Sequence, residues 1–400
     1  MKNTKLIILL SQPLTKFNSR RFGLYSSSKN FNKEFWYLLP LINKKLSQRY
    51  KSDEFRSIKH ENIKVISTYK ELLKKIKGLK YKFYFLNWST IFRYNLFLEF
   101  FLKIKGGVKI VRFFSHIPFK TNKIKTIKKI FSVDKKFFFS KLLISILNFP
   151  INILRKILTV RPSYIFLESN HQSANLSNKE RKKAFFINSF DYSEYLMINK
   201  KKNKKKDLVF IDSEIENSYE SQVLKLDRKH FDKKKYWDSM LKIFSLFEKK
   251  YNQNFKIAGH FRRSIKNKPI DRKFYFDQTP SLIRDAKIVL AHNSTTALWS
   301  VLFNKPLILV NFENFNYLDI TNDDEFEWYK KELNLKMINI DLDYNFKLKK
   351  NFFNGVLKID KNKYEIFKNN YIKNKYAFTR DLDGWKTMTN TLIRINSENL

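Results

Sequence analysis

The sequence predicts an α/β protein built from two Rossmann-like domains, and three observations carry this prediction. Short apolar runs of strand length alternate with segments of helical periodicity, an order typical of βαβ units and parallel sheets. A length of 400 residues exceeds one typical core and suits two domains of about 150–200 residues each. The run at 200–206 is lysine throughout except for Asn203, and such charge blocks are usually solvated linkers.

The position of the lysine run sets the expected domain boundaries. We expect residues 1–197 to form an amino-terminal α/β domain and residues 207–365 to form a carboxy-terminal α/β domain. Residues 366–400 have mostly helical character and are expected to pack back across both domains.

The first half begins with an apolar run at 6–10, which is too short for a secretory signal and predicts a buried first strand. Residues 31–46 are apolar and aromatic and are expected to be helical or irregular. Further strands are predicted at 64–67, 82–86, 108–114, 162–167 and 184–187. Helices are predicted at 69–79 and 91–105, the second of them stopped by Gly106 and Gly107.

The second half has a clearer alternation of strands and helices. Strands are predicted at 208–211, 255–258, 287–291 and 307–310. Helices are predicted at 235–251, 280–285 and 296–304. Three of these strands run into polar residues, at Asp212, at His260 after a glycine, and at His292. Because ligands bind beyond the carboxyl ends of strands in doubly wound sheets, these residues are candidates for a shared site.

The composition excludes some classes of protein and leaves the meaning of the charge open. Hydrophobic residues make up 43%, enough for packed cores, and the absence of cysteine excludes disulfides and thiolate metal sites. The formal net charge of +43 fits the lysine-rich composition of an AT-rich genome, or attraction to an anionic partner such as a membrane surface. Nucleic acid is the third explanation and ranks last, because the lysines are spread along the chain without a known RNA- or DNA-binding signature.

The stretch at 137–154 is the most membrane-like part of the chain. Lys141, Asn148, Pro150 and Asn152 interrupt it, so it is a poor spanning helix. Together with the basic run at 120–136, it predicts either an amphipathic segment lying on a membrane surface or a buried helical hairpin broken at Pro150.

The segment from Asp285 to Val310 carries the strongest chemical signal. A buried strand enters a turn of polar residues at 292–296, and the sequence predicts that a helix starts at Thr296. Hydroxyl side chains and free backbone N–H groups at such a helix start bind phosphate without a metal, although a well-capped helix with no ligand gives the same pattern. His260 and Arg262, just after a neighbouring strand, suit the same anion and should lie at the same edge.

These segments resemble bacterial surface-carbohydrate and capsule-biosynthesis glycosyltransferases. The resemblance rests on IAGHFRRS at 257–264, SLIRDAK at 281–287 and IVLAHNSTTALWSVLFNKPLIL at 288–309, with supporting strand ends at 186–192 and 208–212. In that family a His-Pro strand end precedes a Ser/Thr-rich turn, a helix and a Lys-Pro strand. The likeness is specific over about 180–310 and faint before it. It implies a GT-B fold with a deep cleft between two domains, the donor nucleotide in the carboxy-terminal domain, and metal-independent transfer.

Two positions depart from the family pattern. Phe261 stands where the His-Pro pattern has proline, and Ser300 stands where many GT-B enzymes carry a glutamate that grips the donor ribose. The second departure weakens the case for a UDP- or GDP-sugar. It leaves a CMP-sugar open, because Ser/Thr turns paired with histidine also occur in sialyl- and Kdo-transferase-like groups. Hexosyl transfer and sialyl- or Kdo-type transfer therefore both stay open.

The mechanistic hypothesis needs a base for the acceptor and electrophilic groups for the departing phosphate. The residues expected to bind the donor phosphate or nucleotide are His260, Arg262, His292, Asn293, Ser294, Thr295 and Thr296. Asp191 and His260 are the candidate catalytic residues, although Asp191 fits a helix cap equally well. Glu194 and Asp212 are further candidate acids in the cleft.

The resemblance also sets the expected partners. The nucleotide sugar is a co-substrate, and no other cofactor or metal is expected. The acceptor is a surface glycan, such as capsule or lipopolysaccharide, or a lipid-linked glycan, which fits a cytoplasmic protein with peripheral contact at the anionic inner face of the cell membrane. Two alternatives stay open: a non-catalytic nucleotide- or carbohydrate-binding protein of a glycan pathway, and a nucleic-acid binder driven by charge.

Overall fold

The chain folds around two parallel β-sheets, as a computed structural model shows. The structure describes residues 4–12, 14–26, 31–50, 58–79, 82–88, 92–113, 158–174, 176–198, 207–217, 231–266, 268–292, 295–312, 323–374 and 383–398. The lysine run at 200–206 and the segment at 120–154 lie outside these residues. Within the described part of the chain, no helix combines the length and apolar character that crossing a membrane requires.

The first sheet has seven parallel strands in the order β3-β2-β1-β4-β5-β6-β7. Its strands are β1 (Thr4–Leu10), β2 (Phe31–Tyr37), β3 (Ile63–Val65), β4 (Phe83–Trp88), β5 (Gly107–Phe113), β6 (Tyr164–Leu167) and β7 (Ala184–Phe186). Its helices are α1 (Lys16–Arg21), α2 (Leu39–Ile42), α3 (Lys44–Arg49), α4 (Tyr69–Lys77), α5 (Phe92–Ile104), α6 (Asn170–Ala174), α7 (Asn178–Arg181) and α8 (Phe190–Ile198).

Two layers of helices cover this sheet because the central strands are apolar on both faces. Leu6, Ile7, Ile8, Leu9 and Leu10 of β1 are fully buried, and they alternate between two core clusters. Local signals fix the helices: Thr68 and Glu71 form a reciprocal capping box at the start of α4. Such continuous burial is typical of a central strand in a parallel sheet.

The second sheet has six parallel strands in the order β10-β9-β8-β11-β12-β13. Its strands are β8 (Asp207–Ile211), β9 (Phe255–Ala258), β10 (Phe274–Tyr275), β11 (Ala286–Ala291), β12 (Leu307–Phe312) and β13 (Lys336–Ile340). Its helices are α9 (Lys233–Tyr251), α10 (Thr279–Asp285), α11 (Leu298–Leu302), α12 (Asp323–Leu333) and α13 (Lys361–Phe367). Asp232 caps α9, whose buried face includes Trp237, Phe244 and Phe247.

The chain returns to the first domain through α14 (Gly384–Glu398), as the sequence predicts for its last segment. The Trp385 indole donates a hydrogen bond to the Arg21 carbonyl at 2.9 Å, and the Tyr84 hydroxyl donates to Asn396 at 2.7 Å. Trp385, Met388 and Leu392 of α14 join the core of the first sheet. The last helix is therefore an integral layer of the first domain.

The predicted strands and helices agree with the structure in most of the chain, but some segments form another element and some elements, such as α1 and α12, were not predicted. Residues 31–37 form strand β2 and not a helical or irregular segment, because alternate residues such as Phe31 and Phe35 face the core. The sequence patterns missed β10 and β13, the two edge strands of the second sheet. The helix predicted at 296–304 is a 3₁₀ turn, Thr295–Ala297, followed by the short helix α11.

Candidate functional site

A small cavity lies at the carboxyl edge of the second sheet, where the strand order reverses. From β8 the chain adds β9 and then β10 on one side, and it returns to add β11 on the other side of β8. Ligands of doubly wound sheets bind at such a switch point. The cavity has a volume of about 30 Å³. Its lining residues are Ile211, Asp212, Ala258, Gly259, His260, Phe261, Asp277, Thr279 and Thr296.

His260 and Thr296 share this cavity, although 35 residues with two strands separate them along the chain. His260 follows β9 and Thr296 lies in the 3₁₀ turn after β11, so the flanking strands bring both to one edge. Gly259 precedes His260, and a side chain there would collide with the Phe276 ring, as close as 2.5 Å to the position of its Cβ. The order of the strands therefore brings His260 and Thr296 to one edge, as the sequence predicts.

His260 is held by buried acids that follow β8. Its backbone N–H donates to Asp212 Oδ2 at 3.1 Å, and its Nδ1 lies 3.3 Å from Glu214 Oε2. Nδ1 also lies 3.4 Å from the Arg262 backbone nitrogen. Burial lowers the pKa of His260, the hydrogen bond with Glu214 opposes this shift, and the Arg262 charge adds to it. The contacts at Nδ1 leave Nε2 as the ring nitrogen for a ligand.

Arg263 forms ion pairs with Asp212 and Glu216, two of the three acids at alternate positions after β8. Arg263 Nη2 donates to Asp212 Oδ1 at 2.7 Å, and Nη1 donates to Glu216 Oε1 at 2.6 Å. Burial would raise the pKa of Asp212, but the Arg263 charge and hydrogen bonds outweigh it and hold that pKa below its usual value. Asp212 was a candidate cleft acid, and the structure places it in an ion pair that leaves it unsuited to act as a base.

Glu214 is a residue of the site that the sequence patterns missed. It is buried, and its φ of +49° lies in the left-handed region that residues other than glycine rarely adopt. Its backbone N–H donates to Asp212 Oδ1 at 2.9 Å, which holds the turn. The alternation of acids in DSEIE at 212–216, directly after a buried strand, is the signal that could have identified it.

The threonine turn differs from the predicted capped helix. The N-cap residue of α11 is Ala297, whose side chain cannot accept a hydrogen bond, and α11 has five residues. Thr295 and Thr296 are partly buried in the preceding 3₁₀ turn, and Thr296 lines the cavity. Asn293 and Ser294, which were predicted to bind the donor, lie outside the described residues. The phosphate hypothesis therefore depends on the cavity and not on a helix dipole.

His292 occupies the core and does not line the cavity, contrary to the expectation that it faces the site edge. Its ring is buried, its Nδ1 donates to the Val310 carbonyl at 2.6 Å, and the Tyr236 hydroxyl donates to its Nε2 at 2.6 Å. Burial lowers the pKa of His292 to about 4, so the ring is neutral near pH 7. Its two hydrogen bonds give it a structural role joining α9 to β12.

Arg262 lies beside the cavity without lining it. Its side chain is largely buried, and its guanidinium stacks over the Phe261 ring at 5.2 Å. Phe261 stands at the position of the expected proline, and its ring packs on the His260 ring with centroids 4.4 Å apart. The aromatic residue therefore links the histidine and the arginine through its ring contacts.

Asp191 and Glu194 lie on α8, where the two domains meet. Asp191 has Arg21 and Glu168 of the first domain nearby and accepts a hydrogen bond from the Trp299 indole of α11. Burial raises the pKa of Asp191, and Glu168 adds to the rise. Burial also raises the pKa of Glu194, whose Oε2 lies 3.7 Å from Arg20 Nη1. Trp299, which contacts Asp191, is three residues after the cavity-lining Thr296 in sequence.

A buried ion pair supports this junction and was also missed. Glu168 follows β6 directly, and its Oε1 accepts a 2.7 Å hydrogen bond from Arg112 Nε of β5. Gln172 Oε1 accepts the Glu168 backbone N–H at 2.8 Å. An acid at the end of a predicted strand is a signal that the sequence contained. In the described part of the chain, no cluster of His, Asp and Glu side chains has the arrangement of a metal site.

Comparison with known proteins identifies relatives by fold alone. No protein-family model matches the sequence, and no curated protein matches it. The solved structure of the H444N variant of the wall teichoic acid polymerase TagF is similar over 99% of this chain and 90% of that chain, with a TM-score of 0.52 and 9% identity. That score shows a shared fold at an identity too low to carry an activity. The fold is of the GT-B type.

Two further structures are similar at lower scores. One is the UDP-GlcNAc 2-epimerase of Methanocaldococcus jannaschii, with a TM-score of 0.46, 12% identity and full coverage of both chains. The other is the spinosyn forosaminyltransferase SpnP, with a TM-score of 0.46, 10% identity and 99% coverage of both chains. The fold predicted from the sequence, two Rossmann-like domains with a returning helix, is confirmed by the two parallel sheets and by the packing of α14 on the first of them.

Proposed function

We propose that this protein is a glycosyltransferase that moves a sugar from a nucleotide-sugar donor to a glycan or lipid-linked acceptor. The GT-B-type fold and the position of the cavity at the switch point of the second sheet support this proposal. The shared cavity of His260 and Thr296 is the observation that carries it. Oriented donors of this kind stabilise the negative charge that develops on a departing phosphate.

The size of the cavity limits what it binds. About 30 Å³ accommodates a phosphate group but is far below the roughly 300–1,000 Å³ of a site for a whole small ligand. We therefore assign to it the phosphate next to the transferred sugar. The nucleoside and the sugar would occupy the cleft that the resemblance implies between the domains.

His260 would donate a hydrogen bond from Nε2 to this phosphate. Glu214 contacts Nδ1 and opposes the effect of burial, which holds the pKa of His260 below its usual value. Nδ1 also faces the Arg262 backbone N–H, and a neutral ring that accepts this hydrogen bond carries its proton on Nε2. Thr296 would add a hydroxyl donor, with Thr295 in the same turn as a further contact. Asn293 and Ser294 stay donor-binding residues predicted from the sequence. The ion pair of Arg263 and Asp212 fixes the loop that carries His260.

Asp191 is our candidate for the base that deprotonates the acceptor hydroxyl. A raised pKa brings a carboxylate closer to the operating pH and makes it a stronger base. Its position at the domain junction is where an acceptor would meet a donor bound by the second domain. Glu194 on the same helix is the next candidate, since burial raises its pKa as well.

The finer identity of the reaction is part of the proposal. The donor is a CMP-, UDP- or GDP-sugar, and the buried Ser300 in place of a ribose-binding glutamate favours CMP. The acceptor is a glycan of the capsule or lipopolysaccharide kind, reached at the cytoplasmic face of a membrane. The transfer proceeds without a metal in this scheme, because His260 and Thr296 supply the electrophilic contacts.

Nucleotide binding tests this function. We expect isothermal titration calorimetry to detect one of CMP, UDP or GDP, and we expect His260→Ala, Thr296→Ala and Glu214→Gln each to weaken it by about tenfold or more. His60→Ala is the matched control, because His60 lies in the first domain with Nδ1 accepting the Asn62 N–H. Unchanged affinity in both His260→Ala and Thr296→Ala would reject the assignment of the cavity.

A non-catalytic nucleotide-binding protein is the second candidate. The observation that favours it is the ion pair of Asp212 with Arg263, which removes one candidate base from the site. The two candidates differ in turnover. Release of free nucleotide from a bound nucleotide sugar, abolished by Asp191→Asn, would support the transferase. Tight binding with no turnover in the presence of any acceptor would support the binding protein.

A further inference from the structure

Helices α4 and α5 pack on the same face of the first sheet. Leu72 and Ile76 of α4 and Leu98 and Leu102 of α5 belong to the same core cluster. Strand β4 lies between the two helices in sequence. Strands β2 and β4 are the two neighbours of β1 in the sheet. The two helices therefore belong to one layer of the first domain.

The outward face of these helices carries large apolar side chains. Phe97, Phe101 and Ile104 of α5 are 48%, 45% and 63% exposed, and Leu73 of α4 is 47% exposed. The three residues of α5 are spaced i, i+4 and i+7, so they form a stripe along one side of the helix. Single exposed apolar residues are ordinary, but a contiguous set of them marks an interaction surface.

Exposed lysines lie on the same two helices and the turn after them, and the two acids of these helices are already engaged. The exposed lysines of the two helices and the turn after them are Lys70, Lys74, Lys77, Lys103 and Lys105. The Glu71 carboxylate accepts the backbone N–H groups of Ser67 and Thr68. Glu99 is buried and contacts Lys109 at 2.6 Å. The face therefore presents apolar side chains within a positive rim.

We propose that the outward face of α4 and α5 docks this protein on an anionic lipid bilayer. Apolar side chains that insert at the headgroup boundary and lysines that meet anionic lipids are the two contributions to interfacial membrane binding. A second copy of the chain is a poor occupant, because its own lysines would lie opposite these lysines. Nucleic acid would satisfy the lysines but would leave Leu73 and Ile104 without a partner.

Vesicle binding of the full chain tests the surface. Co-sedimentation with phosphatidylcholine vesicles that contain phosphatidylglycerol should retain the protein, and pure phosphatidylcholine vesicles should not. The double variant Phe97→Ser/Phe101→Ser should reduce the partition coefficient by at least about tenfold, because two aromatic anchors are lost. Lys74→Glu/Lys103→Glu should reduce it by a similar factor, and added salt should weaken the wild type.

The matched control is the double variant Leu246→Ser/Ile366→Ser in the second domain. Leu246 and Ile366 are 42% and 49% exposed, close to the values of Phe97 and Phe101. The proposal is overturned if the control loses as much vesicle binding as the test variant, or if neither test variant loses any. It is equally overturned if size-exclusion chromatography shows a dimer that Phe97→Ser/Phe101→Ser dissociates, or if DNA displaces lipid. Circular dichroism melts confirm that each variant is folded.

Discussion

Asp212 at the end of β8 and Asp191 at the start of α8 both lose solvation, yet their pKa values move in opposite directions. Burial raises the pKa of each carboxyl group. At Asp212 the guanidinium of Arg263 supplies two hydrogen bonds and outweighs burial, whereas Arg21 near Asp191 does not. The hydrogen bonds from Arg263 keep Asp212 ionised, so that it stabilises a loop. The raised pKa of Asp191 leaves that acid able to take up a proton.

The largest effect should come from breaking the ion pair. Arg263→Met leaves Asp212 and Glu216 buried without their cation, and removal of one partner of a buried pair costs about 3–5 kcal/mol. Urea denaturation should show a fall in the free energy of unfolding of this order. Arg272→Met is the control, because its pair with Glu248 is more exposed and should cost less. Equal losses in the two variants would show that the Asp212 environment is not special.

Replacement of Asp191 should lower stability less than Arg263→Met does, but it should lower the rate of transfer strongly. Asp191→Asn removes the proposed base while keeping the shape of the side chain, so turnover should fall by about 10²–10⁴-fold. Nucleotide affinity should stay near the wild-type value, because Asp191 is on α8 and the cavity is in the second sheet. Glu194→Gln on the same helix is the comparison, and a larger loss in that variant would transfer the role to Glu194.

The pH dependence of stability should have opposite signs at the two acids. The folded-state pKa of Asp191 is raised above its ordinary 3.8, so its stabilising contribution is present below that value and is lost as pH rises through the folded pKa. The folded-state pKa of Asp212 is lowered, so its contribution is present above 3.8 and is lost as pH falls through the folded pKa.

Unfolding measured across pH in Asp191→Asn and Asp212→Asn checks these signs. Relative to the wild type, Asp191→Asn should gain stability as pH rises above about 3.8, by about 1.4 kcal/mol for each unit by which the pKa is raised. Asp212→Asn should lose stability relative to the wild type as pH rises from the lowered folded pKa to about 3.8, and the difference should then stay constant. Parallel slopes in the two variants would contradict the contrast between the acids.

The sequence patterns predicted most strands and helices of the second domain and part of the candidate site. Buried parallel strands such as β8 and β11 read as uninterrupted apolar runs, and polar residues at their ends predicted the site edge. The two-residue edge strand β10 is too short to leave a pattern. Residues of β2 were misinterpreted because Lys33, a buried lysine that donates to the Gly23 carbonyl at 3.0 Å, interrupts the apolar alternation.

The roles of single residues were harder to predict than their positions. His292 and His260 both follow a strand, but only the packing of Tyr236 and the Val310 carbonyl shows that His292 belongs to the core. The lowered pKa of Asp212 depends on Arg263, which is 51 residues away in sequence. Contacts of this kind depend on how the strands are ordered in the sheet. The sequence next to either residue does not predict them.

The return of α14 to the first sheet has a consequence for how the protein is made. Trp385 packs against Gly23 so closely that a methyl group there would overlap the indole, and Arg112 stacks on the same ring at 4.6 Å. A ribosome releases this tryptophan only after it has completed every strand of the second sheet. The half of the molecule that is synthesised first is therefore the half that closes its core last.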